Sequence, residues 1–399
     1  MNRGTRWLLA LLPLALLGIL LVVLQQFGPG KAFRTQFPPV EELAFKRIVL
    51  KGSDTVGAHD KQIIAHVVND GPDPITVAQV MVDEAYWAFT MEPSQTLKHL
   101  QSARIKLIYP WGEGDTHEIK LITETGVTFV GEIGIAVASP MVTGRYLGMF
   151  TLLGVYVGVI PVFLGLLWFP AMRQLTTRTL NFLLSLTAGL LVFLAVDALH
   201  EAIEVTEELP GSYEGIALVA AGFGGSWLLL MVISRWSRTL AAKRDETFQR
   251  LVLSYTIAVG IGLHNLGEGL AIGAAYTLGN IALGGMLVMG FAIHNTTEGL
   301  AIIAPVARQR VKLSSLIIMG LLAGVPTIFG AWIGGFTYSA VWSVLFLGVG
   351  AGAIVQVVYA ILRQVGRDPE EAGVLAPLNF AGLAVGFMLM YATGMLVTF

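Results

Sequence analysis

The sequence predicts an all-α polytopic membrane bundle of eight helices, preceded by an N-terminal anchor helix and carrying a small extracytoplasmic all-β sandwich of immunoglobulin-like type. Three observations predict it. The 399-residue chain is 55% hydrophobic and only 13% charged, where a soluble domain averages about 25% charged. Nine apolar segments approach or exceed the roughly 20 residues that cross about 30 Å of hydrocarbon. The stretch between the first two of them instead alternates apolar and polar residues, the period of half-buried strands.

Residues 7–27 form the first apolar segment, with Arg3 and Arg6 ahead of it. No small-x-small cleavage site follows, so it reads as an uncleaved signal anchor with its N-terminus inside; a cleaved signal peptide is the alternative. Residues 28–140 then form the β domain. Its candidate strands are Arg47–Lys51, Gln62–Asn69, Thr76–Val82, Ala103–Ile108, Glu118–Thr123 and Thr128–Val137, with turns at Asn69-Asp70-Gly71-Pro72 and Trp111-Gly112-Glu113-Gly114. Short strands packed into about 110 residues suit a sandwich. His59, His66, His99 and His117 are scattered through it without ligand spacing, so they read as structural or exposed histidines. The sequence leaves this domain's partner unknown.

Residues 141–399 hold the eight further apolar segments: Leu147–Phe169, Thr179–Glu204, Gly215–Ser234, Leu251–Tyr276, Ile281–Pro305, Leu313–Gly335, Tyr338–Leu362 and Pro377–Thr398. Arg173 and Arg178, then Arg235, Arg238, Lys243, Arg244 and Arg250, then Arg308, Arg310 and Lys312, then Arg363 and Arg367 fall in alternate loops. By the positive-inside rule those loops face the cytoplasm, and the β domain and the C-terminus face outward. The expected location is the plasma (inner) membrane, multi-pass, with lipid as the surrounding partner. Gly320…Gly324 and Gly348-Val-Gly350-Ala-Gly352 predict close helix approach.

Within this bundle the string His-Asn-x-x-Glu-Gly-Leu-Ala-Ile occurs twice, at His264–Ile272 and His294–Ile302, in the fourth and fifth helices. His and Glu stand i, i+4 in each copy and share a helix face, with Asn265 and Asn295 beside them. The short turn between the runs makes the helices antiparallel. They can therefore present two imidazoles, two carboxamides and two carboxylates to one another. That set suits Zn²⁺, Fe²⁺ or Mn²⁺. Polar packing is the blander reading, but ionisable groups inside membrane helices are costly and functional by default.

No Lys or Arg lies within a span, so the buried acids need protons or a metal cation for company. On the second helix Asp197, Glu201 and Glu204 share a face, with His200 beside them, and can line the same conduit; Glu201 and Glu204 lie near its outer end. There is no cysteine, which excludes thiolate metal sites, disulfides, iron–sulfur clusters and cysteine nucleophiles. A net charge of -2 and no basic stripe make nucleic acid an unexpected partner.

The eight-helix part, roughly Leu147 to Phe399, resembles the ZIP family of divalent-metal transporters. The resemblance rests on Ala292-Ile-His294-Asn295-Thr-Thr-Glu298-Gly299…Pro305, on His264-Asn265-Leu-Gly-Glu268-Gly269, and more loosely on Ala188-Gly189…Asp197-Ala-Leu-His200-Glu201-Ala202. It implies metal movement into the cytoplasm, a two-metal centre between helices four and five, rearrangement of the bundle for alternating access, and often a homodimer. It also implies His264, Asn265 and Glu268, with His294, Asn295 and Glu298, as ligands. Zn²⁺ is the family-weighted substrate, with Fe²⁺, Mn²⁺, Co²⁺ and Cd²⁺ also compatible. The sequence departs from the family in three places. Gly267 and Thr297 replace a frequent proline, Thr327 stands where glutamate is common, and the loop Ser234–Arg250 lacks histidine.

Two other classes compete. One is a metal-sensing receptor with the β domain as recognition module. The other is an intramembrane metalloprotease built on His200-Glu201-Ala-Ile-Glu204, although Glu204 occupies the second histidine's place in the His-Glu-x-x-His zinc pattern. A transporter, not an enzyme, is the expectation.

Overall fold

The computed structural model describes residues 39–52, 61–207, 209–241, 244–277, 281–337, 339–366 and 373–397, with positions 12, 15–20, 22 and 23 of the first apolar segment, all nine helical. The rest of the expected anchor, His59 and the turn residues 278–280 lie outside the described residues.

Among the described residues nine strands make up the N-terminal β region: β1 Leu43–Lys51, β2 Gln62–Asn69, β3 Ile75–Val82, β4 Ala85–Tyr86, β5 Phe89–Glu92, β6 Thr96–Leu97, β7 Ser102–Ile108, β8 His117–Thr123 and β9 Thr128–Ile133. They form two sheets, ordered β1-β2-β7-β5 and β4-β3-β8-β9, with β6 paired to β3. All the strand pairings among the described residues are antiparallel. Strand alternation sends Ile63, Val67, Ile105 and Leu107 from one sheet and Val77, Val80, Ile119 and Leu121 from the other into one shared core. The expected turn at Asn69 forms because its side chain stands in for backbone partners: Nδ2 donates to Asp73 O (2.7 Å) and Leu97 O (2.9 Å), and Oδ1 accepts from Gly71 N (3.0 Å).

Sequence periodicity missed β4, β5 and β6, which are two to four residues long and too short to show alternation. It also ran the last strand to Val137, whereas pairing stops at Ile133.

The helices follow in the expected order. Helix α1 spans Gly144–Met172, α2 Thr177–Thr206, α3 Gly215–Ala241, α4 Glu246–Thr277, α5 Ile281–Ile303, α6 Leu313–Thr337, α7 Ala340–Val365 and α8 Pro377–Val397. Seven are long and apolar enough to cross a membrane, and α8 is apolar over Pro377–Ala392. Helices α3 and α4 overrun the apolar stretches read from sequence, because polar helix formers continue them. Glu246 in the first turn of α4 pairs with Arg250 at 2.7 Å, an i,i+4 contact.

Helix α4 packs against α5, α6 and α7; α1 lies on α5 and α6; α7 lies on α2 and α3; and α8 covers α2. Small residues set the closest approaches. A Cβ at Gly330 would sit 2.8 Å from Leu270 N and 3.0 Å from Gly269 Cα, and one at Gly273 would crowd Ala331 O and Gly335 N, so α4 and α6 meet backbone to backbone. The predicted small-residue sites hold as well: Gly324 faces Gly158 on α1, while Gly348 and Gly352 face Val219 and Phe223 on α3.

Loops at the two bundle ends differ in character. At one, Arg308 donates to Thr177 Oγ1 (2.7 Å) and Leu175 O (2.9 Å), and Arg250 reaches Pro305 O. These contacts draw the basic loops α1–α2, α3–α4 and α5–α6 together. At the other, the β region engages the bundle. Lys46 Nζ donates to Tyr213 Oη in the α2–α3 connection (3.2 Å), and Arg47 Nη1 donates to Phe336 O at the end of α6 (3.2 Å).

Candidate metal centre

The residues of the two repeats meet in the bundle interior. His264, Glu268 and His294 bring one ligand atom each to within 4.8 Å of one another. Helical spacing stacks His264 over Glu268 on α4, and His294 arrives from α5. His264 Nε2 lies 3.1 Å from Glu268 Oε1 but is not aligned as a hydrogen bond, and His294 Nε2 contacts the same oxygen. All three, with Asn265, Asn295 and Glu298, are buried. Six polar side chains packed into apolar helices need partners, since an unpaired buried polar group costs about 1–3 kcal/mol.

Breaks in the neighbouring helices supply some of those partners. Helix α1 opens into a π-helical turn at Val155–Val159 just before Pro161. Proline has no N–H to give the carbonyl four residues back, and here that carbonyl is Val157 O. Asn295 Nδ2 donates to it at 3.1 Å and to Glu268 Oε2 at 2.9 Å. Helix α6 carries Pro326 in its interior, and Asn265 Nδ2 donates to Ala323 O beside it at 3.1 Å. Both carboxamides are thus pinned by their nitrogens, and Asn265 Oδ1 and Asn295 Oδ1 are left without a hydrogen-bond partner.

Glu298 presents a sharper imbalance. It is 1% exposed, and neither carboxylate oxygen meets hydrogen-bond geometry with a partner among the described residues, although the Asn265 side chain lies within reach of it. It lies one turn from His294 and interacts electrostatically with Glu268, His264 and His294. His294 Nδ1 is likewise unpartnered. Oxygen and nitrogen acceptors grouped this way around two imidazoles and a carboxylate fit a borderline divalent cation. Thr327, where the resemblance led us to look for a glutamate, is fully buried against Gly158 with Oγ1 unpaired. It offers a hydroxyl and no charge.

Helix α2 reaches the centre with two of the four residues expected to line it, Asp197 and Glu201. A cavity of about 20 Å³ is walled by Asp197, Glu201, His264, Glu268, Phe291 and Phe346. That is room for about one water-sized sphere. His200 and Glu204 do not line the cavity. A step of one residue turns a side chain about 100° around a helix, so His200 points away from the face that Asp197 and Glu201 share. Its ring is 72% exposed and lies 3.6 Å from Glu204. The protease-like stretch His200–Glu204 therefore gathers no metal-holding group among the described residues.

Sequence reasoning missed the backbone part of the site. Val157 O and Ala323 O come from helices with no motif, and Pro161 and Pro326 were the only available signal. In the β region two of the histidines make structural contacts. His99 Nδ1 meets Gly71 O at 2.9 Å, and His117 Nδ1 meets Asp83 Oδ2 at 2.7 Å. No protein-family model matches the chain, and no curated protein matches it.

Proposed function

We propose that this protein is a membrane transporter that moves a divalent metal cation, Zn²⁺ first among them, through the bundle between α4 and α5, and that it is a member of the ZIP family. One observation carries the reading: two imidazoles and a carboxylate from two copies of one motif converge, buried, on a point inside apolar helices. In this reading the ion approaches past Glu201 and Asp197 and gives up water to His264, Glu268 and His294. Glu298 and the free oxygens of Asn265 and Asn295 complete its shell. The β region, taken as an immunoglobulin-like domain over residues 28–140, lies outside the cell membrane together with the C-terminus. The basic loops lie in the cytoplasm, and inward movement is taken from the family resemblance. A homodimer belongs to the same proposal.

Metal flux into proteoliposomes tests it. The unaltered protein should carry Zn²⁺, and competition by Fe²⁺, Mn²⁺, Co²⁺ and Cd²⁺ ranks the substrates. His264→Ala and Glu298→Ala should each abolish flux; undiminished flux in both removes the ligand assignment. A sensor reading is favoured instead if the unaltered protein binds metal at this centre without moving it.

A further inference from the structure

The outward face of the four-stranded sheet gathers a group of cations that the metal centre does not use. Register sets Arg47 opposite His66, His66 opposite Arg104, and Arg104 opposite Glu92. Directly opposed side chains have Cβ atoms about 4.5–5.5 Å apart, and like charges there repel. Glu92 offsets only one end of the row, with Oε2 at 3.2 Å from Arg104 and Oε1 at 3.0 Å from Lys106. Lys46 joins from β1. Its Nζ is held by two neutral hydroxyls, Ser102 Oγ at 2.9 Å and Tyr213 Oη at 3.2 Å. Among the described residues neither Lys46 nor Arg47 forms an ion pair. Burial, and then Arg47, Arg104 and Lys46 in turn, hold the His66 pKa below its ordinary value. The cations are thus close enough to feel one another.

A cavity of about 500 Å³ opens on this face, walled by Lys46, His66, Glu92, Pro93, Ser102 and Arg104. That volume lies within the range of small-molecule sites, about 300–1,000 Å³. Its donors stand apart on three strands and differ in kind: guanidinium, ammonium, hydroxyl and imidazole. Such a set suits a tetrahedral anion with several oxygens better than a planar carboxylate, which a single guanidinium fork can saturate. The cavity is also far larger than a bare anion needs. It sits where the β region meets the helix ends, through Lys46 with Tyr213 and Arg47 with Phe336.

We propose that this cavity is a binding site for a phosphate ester, with Lys46 and Arg104 on the phosphate oxygens and Ser102 and His66 completing the cradle. The headgroup of an anionic phospholipid, presented by the leaflet at the helix ends, is one source. A soluble phosphate ester is the other.

The test uses the full chain in nanodiscs of phosphatidylcholine, alone or with phosphatidylglycerol. Native mass spectrometry reads retained lipid, and thermal unfolding reads stabilisation by inorganic phosphate against chloride of equal ionic strength. The unaltered protein should retain phosphatidylglycerol or be stabilised by phosphate. The first alone assigns a lipid headgroup and the second a soluble ester. The double variant Lys46→Gln/Arg104→Gln should weaken the effect by about tenfold or more, since it removes two charge-assisted contacts. Glu92→Gln should strengthen it, by releasing Arg104 and Lys106. If the unaltered protein shows neither effect, the site is refuted without recourse to variants. Equal binding by the unaltered and doubly substituted proteins refutes it as well.

Discussion

Glu268 and Glu298 occupy equivalent places in the two repeats, yet their protein surroundings differ. Glu268 is fully engaged, by His264 and His294 through Oε1 and by Asn295 Nδ2 through Oε2 at 2.9 Å. Glu298 is equally buried, and neither of its oxygens meets hydrogen-bond geometry; the Asn265 side chain is within reach but commits its Nδ2 to Ala323 O. Replacing Glu268 by glutamine weakens contacts made to a charged acceptor, each worth about 1.5–3 kcal/mol. Metal-free stability should fall by about 3 kcal/mol. Replacing Glu298 by glutamine removes a buried acid that only a proton or cation satisfies, so metal-free stability should hold or rise.

Metal reverses the comparison. At a free Zn²⁺ concentration about 100 times Kd, binding stabilises the unaltered protein by about 2.7 kcal/mol. Loss of a residue that merely supports a ligand weakens binding about 10- to 100-fold, so loss of an anionic ligand should cost at least about 100-fold. The same Zn²⁺ concentration then roughly equals Kd, and the stabilisation shrinks to about 0.4 kcal/mol. Both variants should therefore lose most of the Zn²⁺-induced shift in thermal unfolding, while only Glu268→Gln unfolds earlier without metal. A Glu298→Gln protein that keeps the full shift, or that is destabilised without metal as much as Glu268→Gln, refutes the reasoning.

Three further outcomes follow from the same geometry. His200→Ala should leave Zn²⁺ flux within about twofold of the unaltered protein, because its ring is 72% exposed on the wrong face of α2, whereas Glu201→Gln should slow flux at low Zn²⁺ by about 10-fold or more; initial rates separate the two. Gly330→Val should lower stability by about 3 kcal/mol, the upper range for an overpacked core, because its Cβ would meet α4 backbone at 2.8 and 3.0 Å; normal thermal stability would count against the backbone-to-backbone α4–α6 contact. In the β region, burial raises the Asp83 carboxyl pKa, but the Glu118 amide, the Tyr109 hydroxyl and His117 outweigh it and hold it below its ordinary value, while burial and then Asp83 push the Tyr109 phenol up to about 12. A lowered carboxyl stabilises above its unfolded pKa and is lost as pH falls; a raised phenol stabilises below pH about 10 and is lost as pH rises toward about 12. Unfolding of the unaltered protein should thus show a plateau between about pH 4 and 10 that flattens in Asp83→Asn.

The helices and the two ligand strings were legible because they obey local rules. Long apolar runs leave little choice of conformation in lipid, and i,i+4 spacing places His264 over Glu268 whatever surrounds them. Strands β2, β3, β7, β8 and β9 were visible for the same reason, having enough residues to show alternation. Contacts set by the partner helix were not legible. His200 sits within one residue of Glu201 in sequence, and only the azimuth of α2 against α4 decides which of them faces the buried cluster. Nor could a reading of side chains find Val157 O and Ala323 O, since a carbonyl has no letter of its own in a sequence.

Those two carbonyls explain how asparagine works in this centre. A carboxamide has a donor end and an acceptor end, and here both NH₂ groups are turned onto protein acceptors: that of Asn265 onto Ala323 O, and that of Asn295 onto Val157 O and Glu268 Oε2. Pro161 leaves Val157 O without its helical donor, and Pro326 breaks the ladder beside Ala323 O. Each site takes up an asparagine Nδ2, at 3.1 Å in both cases. With the nitrogens committed, the oxygens of Asn265 and Asn295 are left without protein partners and free to be drawn to positive charge. At Val157 a helix break that would be a defect elsewhere thus helps to fix the orientation of the Asn295 carboxamide. Pro161→Ala should restore a backbone donor to Val157 O and loosen Asn295. Zn²⁺ affinity should drop about 10-fold or more while His264, Glu268 and His294 are untouched. An unchanged affinity in that variant would separate the proline from the site.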